Sequence, residues 1–426
     1  MEPNTIADDT QTSLNYLGQK SALFSLTLAT SLLSIVTLGI YRFWQKTRIR
    51  KYIWSSIQLD GDSVEYTGTG LEKLLGFLVA IIFLAVYLGV LQMILFYFGL
   101  NMFVDPETNP ELALGQMAAI YISLLAVLPF IYFAIYRGRR YRMARTRWRG
   151  IRFGMDKAAW GYAARACGFF ILNIFTLGLL SPLAAYRLEK YMIERTHFGD
   201  NRFTLSGKWT EMYSAMKHYF IAIIPLAIGV VMLTKGIMEN AGTQTPFASG
   251  ENPAVLGTII TGGAFLLFGY IWMIIGSIYY QTRCFTYLTN HTTLADTVSF
   301  ETSPRPWKII GLVFLGFMII GAILITILMI TGYIARSISW SSDPSDIMPN
   351  EIGFGSVIFS VLLYLGTLAV INALIMILIN QPILRHVVTE TRVKNAQSLS
   401  SVHQRPYDKD TDAEGFADAL DVGGAF

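Results

Sequence analysis

Eight stretches are apolar over about 20 residues, the length of helix that crosses a hydrocarbon core of about 30 Å. They are 22–41, 74–98, 113–136, 166–186, 219–235, 254–279, 308–334 and 353–380. The segments between them sort by charge. Residues 42–52 carry Arg42, Lys46, Arg48, Arg50 and Lys51 and no acid. Residues 137–152 hold eight arginines, again without an acid, and 187–217 hold Arg187, Lys190, Arg195, Arg202, Lys208 and Lys217. By contrast 99–112 has Asp105, Glu107 and Glu111, 236–253 has Glu239 and Glu251, and 335–352 sets Arg336 against Asp343, Asp346 and Glu351. Short basic loops stay in the cytoplasm. Hence 74–98/113–136, 219–235/254–279 and 308–334/353–380 are expected to form three hairpins with both ends inside.

The run 166–186 conflicts with this scheme, because both of its flanks are basic. Either it re-enters the membrane, broken at Thr176-Leu177-Gly178 and Pro182, or it spans and one loop violates the charge rule. The run 22–41 poses the same choice in milder form, with only Lys20 on its outer flank. Met1–Leu14 has Glu2, Asp8 and Asp9 and no basic stretch, so no standard secretory signal introduces the first run.

Similar text follows the inward-going helices. Tyr52-Ile53-Trp54 leads to Leu59-Asp60-Gly61-Asp62-Ser63-Val64-Glu65-Tyr66, and Tyr191-Met192-Ile193 to Phe198-Gly199-Asp200-Asn201-Arg202-Phe203-Thr204-Leu205. Tyr287-Leu288 leads to Leu294-Ala295-Asp296-Thr297-Val298-Ser299-Phe300-Glu301-Thr302, with a shorter copy at Trp148–Phe153. Each reads as a helical extension, a Gly/Asp/Asn turn and a period-two strand, hence a small hairpin. Upstream, Thr37-Leu38-Gly39-Ile40 is echoed by Thr176-Leu177-Gly178-Leu179. The expected fold is an all-α polytopic membrane protein. It is a helical bundle with internal repeats, six transmembrane helices, two glycine-broken spanning or re-entrant segments, and small cytoplasmic β-hairpins. The expected divisions are a disordered tail 1–14, a first membrane repeat 15–150, a second 151–305, a C-terminal transmembrane hairpin 306–395 and an acidic disordered tail 396–426.

The string Thr37-Leu38-Gly39-Ile40-Tyr41-Arg42-Phe43-Trp44-Gln45-Lys46-Thr47-Arg48, followed by Arg50-Lys51-Tyr52-Ile53-Trp54, resembles a signature of the YjgN family of bacterial inner-membrane proteins. Phe170-Ile171-Leu172-Asn173, Thr176–Leu179, Pro182 and Thr196-His197-Phe198-Gly199-Asp200 resemble its second signature. The chain departs at Phe43, where the family pattern places proline before the tryptophan. The resemblance covers most of 15–395. It implies a multi-pass inner-membrane protein whose defining domain has no assigned function, and it carries over no catalytic residues.

Composition agrees with the pattern: 53% of residues are hydrophobic and 15% charged, against about 25% charged in soluble chains. Two cysteines, Cys167 and Cys284, lie far apart without a CxxC or Cys/His cluster, so no disulfide framework or metal site is expected. His197 and His291 sit beside threonines in two repeat copies. No phosphate-binding loop and no nucleophile–base pair stands out, so neither an enzyme nor a cofactor is expected. The net charge of +4 is too small to imply nucleic acid.

Within the apolar runs the polar side chains are Gln92, Asn173, Asn372, Asn380 and Gln381, which read as hydrogen-bonding links between helices. Thr37, Gly39, Asn173, Thr176, Gly178 and Pro182 are the candidates for helix breaks that line a pathway. Arg137, Arg139, Arg140, Arg142 and Arg145 are the candidates for contact with anionic lipid headgroups, against the alternative that they only fix orientation. Two functions follow. One is a channel or carrier for a small solute or a lipid. The other is a non-transporting scaffold or lipid-organising protein whose basic cytoplasmic face binds anionic phospholipids. The expected location is the bacterial inner membrane with the C-terminus in the cytoplasm.

Overall fold

The computed structural model describes residues 11–103, 112–241, 253–340 and 354–406. The acidic residues Asp105, Glu107, Glu111, Glu251, Asp343, Asp346 and Glu351 lie outside them, as does 407–426 of the expected acidic tail. The elements run β1 (Gln11–Tyr16), α1 (Lys20–Val36), α2 (Arg42–Ser55), β2 (Ile57–Leu59), β3 (Asp62–Tyr66), α3 (Gly70–Tyr97), α4 (Ala113–Ala144), β4 (Thr146–Trp148), β5 (Ile151–Met155), α5 (Ala159–Phe175), α6 (Ser181–Ile193), β6 (Thr196–Phe198) and β7 (Asn201–Leu205). A 3₁₀ segment, Trp209–Met216, leads into α7 (Lys217–Ala241), then α8 (Pro253–Asn290), β8 (Thr292–Leu294), β9 (Val298–Thr302), α9 (Pro306–Trp340) and α10 (Phe354–Ile375). A π-helical turn Met376–Asn380, α11 (Gln381–Thr389), β10 (Thr391–Lys394) and a 3₁₀ helix Ala396–Ser401 complete them.

The expectation of an all-α fold is overturned. The strands are not separate hairpins but one closed antiparallel barrel, in the order β1-β10-β9-β8-β7-β6-β5-β4-β3-β2. Closure comes from β10 pairing with β1, so strands from both ends of the described chain form a fifth hairpin-like pair. Gln11–Leu14, expected in the N-terminal tail, therefore belong to a strand. Every repeat segment proposed from the sequence contributes strands to the barrel.

Five equivalent junctions build the ring. The last residue of each exit strand faces the first of the next entry strand: Tyr16 opposite Ile57, Tyr66 opposite Thr146, Met155 opposite Thr196, Leu205 opposite Thr292, and Thr302 opposite Thr391. Four of those entry residues are threonines whose hydroxyls donate to the carbonyl four residues back, at 2.7–2.9 Å, closing the end of the preceding helix. Asp60-Gly61 and Arg149-Gly150 take positive φ at both turn positions, the conformation that lets two strands reverse within two residues.

Alternate strand residues point inward. Trp148, Phe198, Leu294, Val298 and Val393 are at most 5% exposed and form one core. Leu399 and Val402 reach into the same core from the segment after β10. Residues 396–402, expected to start the disordered tail, thus form a strap across the barrel. Asn395 Nδ2 donates to the Thr297 carbonyl at 3.0 Å at one end of the strap, and the His403 amide donates to Asp200 Oδ1 at 3.1 Å at the other.

Among the described residues, six helices are long and apolar enough to cross a membrane: Gly70–Tyr97, Ala113–Ala144, Trp209–Glu239, Pro253–Asn290, Pro306–Tyr333 and Ser360–Thr389. The runs 22–41 and 166–186 do not cross. Each is a helical hairpin, α1/α2 and α5/α6, that turns back to the barrel because β1 pairs with β2 and β5 with β6. At 1.5 Å per residue, the 17 residues of α1 reach about 25 Å, short of a full crossing that must also accommodate the polar barrel end. Both basic flanks can therefore lie on one side. Helices neighbour one another in chain order, and α1 against α10 closes the circle.

The long helices bury little of their surface against one another. Only 6–22% of residues in the most apolar stretch of each long helix are buried, whereas a helix in a bundle core buries a whole face. Close packing is seen for α7 on α8, where a Cβ at Gly262, Gly269 or Gly276 would meet α7.

Candidate functional site

The two helix breaks have one construction. Thr37 ends α1, Leu38 is left-handed at φ 51°, and the Gly39 amide donates to the Ser34 carbonyl at 2.7 Å. Thr176 ends α5, Leu177 is left-handed at φ 49°, and the Gly178 amide donates to the Asn173 carbonyl at 2.7 Å. These are paired Schellman caps with leucine at the first left-handed position and the following glycine, at φ 90° or 80°, also at positive φ. A left-handed leucine costs about 1–2 kcal/mol. Thr37 and Thr176 hydroxyls donate to Leu33 and Leu172 carbonyls at 2.8 and 2.9 Å. Pro182 is buried in the first turn of α6, where its missing N–H has no intrahelical acceptor to lose.

The tips are apolar and uncovered by protein: Leu38 is 95% and Leu177 92% exposed. Among the described residues, none other than its immediate chain neighbours comes within 4 Å of a Cβ built at Gly39 or Gly178. So the break residues come together as two tips, each standing part-way up beside longer helices, rather than around one enclosed path.

A polar layer sits below the first tip. Ser31 Oγ accepts from Gln45 Nε2 at 2.7 Å and from Asn372 Nδ2 at 2.9 Å, tying α1 to α2 and α10. Thr27 and Thr30 are buried beside it on the same helix. Gln92 donates across to Ser123 at 2.8 Å, and Gln381 to the Gly18 carbonyl at 3.1 Å. Asn173 Oδ1, on the second hairpin, is buried with no hydrogen-bond partner among the described residues. Reading along the chain missed Gln45 and Ser31, since the first lies in a basic stretch and the second in an apolar one.

The arginines of α4 turn inward rather than out. Arg139 pairs with Glu189 at 2.6 Å and Arg145 with Glu72 at 3.0 Å. Arg140 Nε donates to the Met155 carbonyl at 3.1 Å, and Arg137 lies 5.5 Å from the Phe133 ring. Arg142 is half-buried, and its carbonyl accepts from Thr146. Much of this charge is spent joining α4 to α3, α6 and β5.

His197 and His291 are not equivalent. His197 is the second residue of β6, whereas His291 precedes β8 and its Nδ1 lies 2.8 Å from the Tyr287 carbonyl. Burial and the nearby Arg405 push the His197 imidazole below its ordinary 6.5. Among the described residues no three His, Cys, Asp or Glu side chains form a cluster suited to a metal ion.

Six apolar helices and two half-depth hairpins carried by one closed barrel define a multi-pass membrane protein. A family model described as "Bacterial protein of unknown function (DUF898)" matches residues 11–327, starting at the first residue of β1, and the chain belongs to that family. Among curated relatives it is similar to Inner membrane protein YjgN of Salmonella typhimurium strain LT2, at 21% identity over 253 residues, 57% of this chain and 58% of the relative. It is also similar to the proteins of that name from Escherichia coli O157:H7, 25% identical over 39% of this chain and 36% of the relative, and from strain K12, 23% identical over 35% and 32%. The chain thus matches a little over half the length of the first relative and about a third of the other two. No solved structure matches it. The family resemblance read from Thr37–Trp54 is the one the comparisons return.

Proposed function

We propose that the protein is a lipid carrier of the inner membrane, with its barrel on the cytoplasmic side. Acyl chains would enter the gaps above the two half-depth tips. The observation that carries this reading is the uncovered apolar surface. Leu38 and Leu177 are over 90% exposed, between longer helices that are themselves mostly uncovered. Apolar surface of this kind is at rest only against hydrocarbon. The axial route suits a water-soluble solute poorly, because the barrel is filled by Trp148, Phe198, Leu294 and the strap residues Leu399 and Val402. The names of the relatives and the arginine-rich barrel end support the orientation.

The test uses single cysteines at Leu38→Cys and Leu177→Cys with Cys167 and Cys284 changed to Ala, in sealed proteoliposomes. A charged, membrane-impermeant maleimide should label neither, because a thiol held in hydrocarbon does not form the reactive thiolate. In parallel, a fluorescent phospholipid should move between leaflets faster than in protein-free vesicles, and Gly178→Trp should slow it. Rapid labelling by the charged reagent would mean water-filled gaps and would favour a solute pathway. Lipid movement no faster than in empty vesicles would sink the carrier.

A further inference from the structure

Five rings occupy one place in the repeat, five residues before each entry strand: Tyr52, Tyr141, Tyr191, Tyr287 and His386. Two of the tyrosines bond both ways to a single residue. The Tyr52 hydroxyl accepts from the Gln19 amide at 2.7 Å and donates to the Gln19 carbonyl at 2.9 Å. Tyr287 does the same with Lys208, at 2.7 and 3.0 Å. A phenol stays neutral up to about pH 10, so these bonds are indifferent to protons near neutrality. The fifth ring is different. His386 is buried, and its Nε2 accepts from the Arg305 amide at 3.1 Å. An imidazole nitrogen accepts only while the ring is neutral. Histidine is also the side chain that ordinarily changes charge between about pH 5 and 8.

The other ring nitrogen faces a carboxylate. Nδ1 lies 3.8 Å from Oε1 of the partly exposed Glu390, at the end of the same helix. A second proton turns Nε2 into a donor set against the Arg305 N–H, so the bond to α9 is lost. The same proton gives Nδ1–H a charge-assisted partner in Glu390. The elements packed on α11 supply the remaining charges. α9 brings the positive Arg305 and Lys308, and β1 brings Tyr16, which lies near Arg385 of α11. The π-helical turn carries no titratable side chain. On β10, Lys394 pairs with Glu301 at 3.1 Å and Arg392 donates to Gln11.

What this bond holds is the start of the last transmembrane hairpin. α11 follows directly on the π-helical turn Met376–Asn380, and turns of this kind are where helices bend. α9 lies flush against the turn, so that a Cβ at Gly316 would strike Ile379. Below the clamp the Ser303 amide donates to the Glu390 carbonyl at 3.3 Å, and β9 pairs with β10 over four residues. The barrel therefore stays closed without the clamp. We propose that His386 is a proton-operated clamp. Neutral, it holds the start of α9 on α11; protonated, it turns to Glu390 and frees α9 beside the π-helical turn. The device operates whether or not the protein carries lipid.

Hydrogen–deuterium exchange of residues 303–309 tests this, on the full chain in lipid nanodiscs from about pH 8 to pH 5, with the intrinsic pH dependence of exchange divided out. Every protein in the series carries His197→Gln, which removes the imidazole on β6. With His386 in place, protection should fall about fivefold or more across this range. His386→Tyr restores a clamp that gains no proton, and its protection should hold throughout. His386→Phe should be as unprotected at the alkaline end as the parent is at the acid end. Glu390→Gln leaves the protonated ring without its carboxylate and should move the midpoint of the fall to lower pH. An equal fall in His386→Tyr, or no fall in the parent, would overturn the clamp. So would a midpoint that Glu390→Gln leaves in place, or full protection in His386→Phe at the alkaline end.

Discussion

The backbone amide of Arg305 donates to Nε2 of His386 at 3.1 Å, binding the start of α9 to α11. The same connection recurs around the ring in different chemistry. Tyr52 takes the Gln19 amide at 2.7 Å, Tyr191 donates to the Ala158 carbonyl at 3.1 Å, and Tyr287 takes the Lys208 amide at 2.7 Å. Each ring lies five residues before an entry strand, and each partner lies three residues after the neighbouring exit strand. At the remaining place Tyr141 donates instead to Glu72 Oε2 at 2.8 Å. Every inward-going helix thus grips the unit before it. The acceptor role of His386 Nε2 requires the neutral ring with its proton on Nδ1.

Removing one clamp hydroxyl should weaken the ring without altering its shape. Tyr287→Phe strips the partner from the Lys208 amide and carbonyl, and Tyr191→Phe strips it from Ala158. Each should cost about 0.5–1.5 kcal/mol. Thermal unfolding in detergent should show both melting below the parent, and an unchanged Tm would mean the clamps are incidental.

The strained tips make a prediction of opposite signs. Leu38→Gly and Leu177→Gly relieve a left-handed leucine whose side chain touches almost no protein, and should stabilise by up to about 1 kcal/mol. Gly39→Ala and Gly178→Ala place a Cβ at φ 90° and 80° and should destabilise by about 1–2 kcal/mol. Equal effects of the two kinds of substitution would show that the tips are not held in this cap.

Ser31 is a shared acceptor, so its loss should couple two helices. Ser31→Ala leaves the Gln45 and Asn372 amides without it and should cost about 1–3 kcal/mol. In a double-mutant cycle with Asn372→Leu the two losses should fall short of additive by at least about 0.5 kcal/mol. Strict additivity would place Asn372 outside the layer.

Acid should act on the barrel through His197. Its imidazole is held below 6.5 chiefly by burial, then by Arg405 and Arg202, with Asp156 opposing. The folded state therefore binds its proton later than the unfolded state, so stability is full above 6.5 and falls as the pH drops toward the folded value. His197→Gln should flatten this part of a Tm-against-pH curve. An identical slope in the variant would assign the effect to another group.

Much of the site was legible along the chain. The Thr37-Leu38-Gly39 and Thr176-Leu177-Gly178 breaks are local, because a Schellman cap is made within six residues. That Leu38 takes positive φ as well as Gly39 was not legible, since glycine is the residue that ordinarily fills the left-handed cap position. The fate of the α4 arginines was hidden too. Glu72 and Glu189, which pair with Arg145 and Arg139, lie 73 and 50 residues away.

By itself the sequence determined what depends on composition and neighbouring residues: six apolar spans, two broken runs, the segregated charges, four of the five strand pairs and the family. Only the tertiary structure decided that the strands close into one barrel, because closure joins Gln11–Ser13 to Arg392–Lys394 across nearly the whole chain. It also decided that the broken runs turn back. Hydropathy measures how apolar a segment is, whereas its direction is set by which strands its ends must pair. Closure also brings Asn372 of α10 to Ser31 of α1, a partner 341 residues away along the chain.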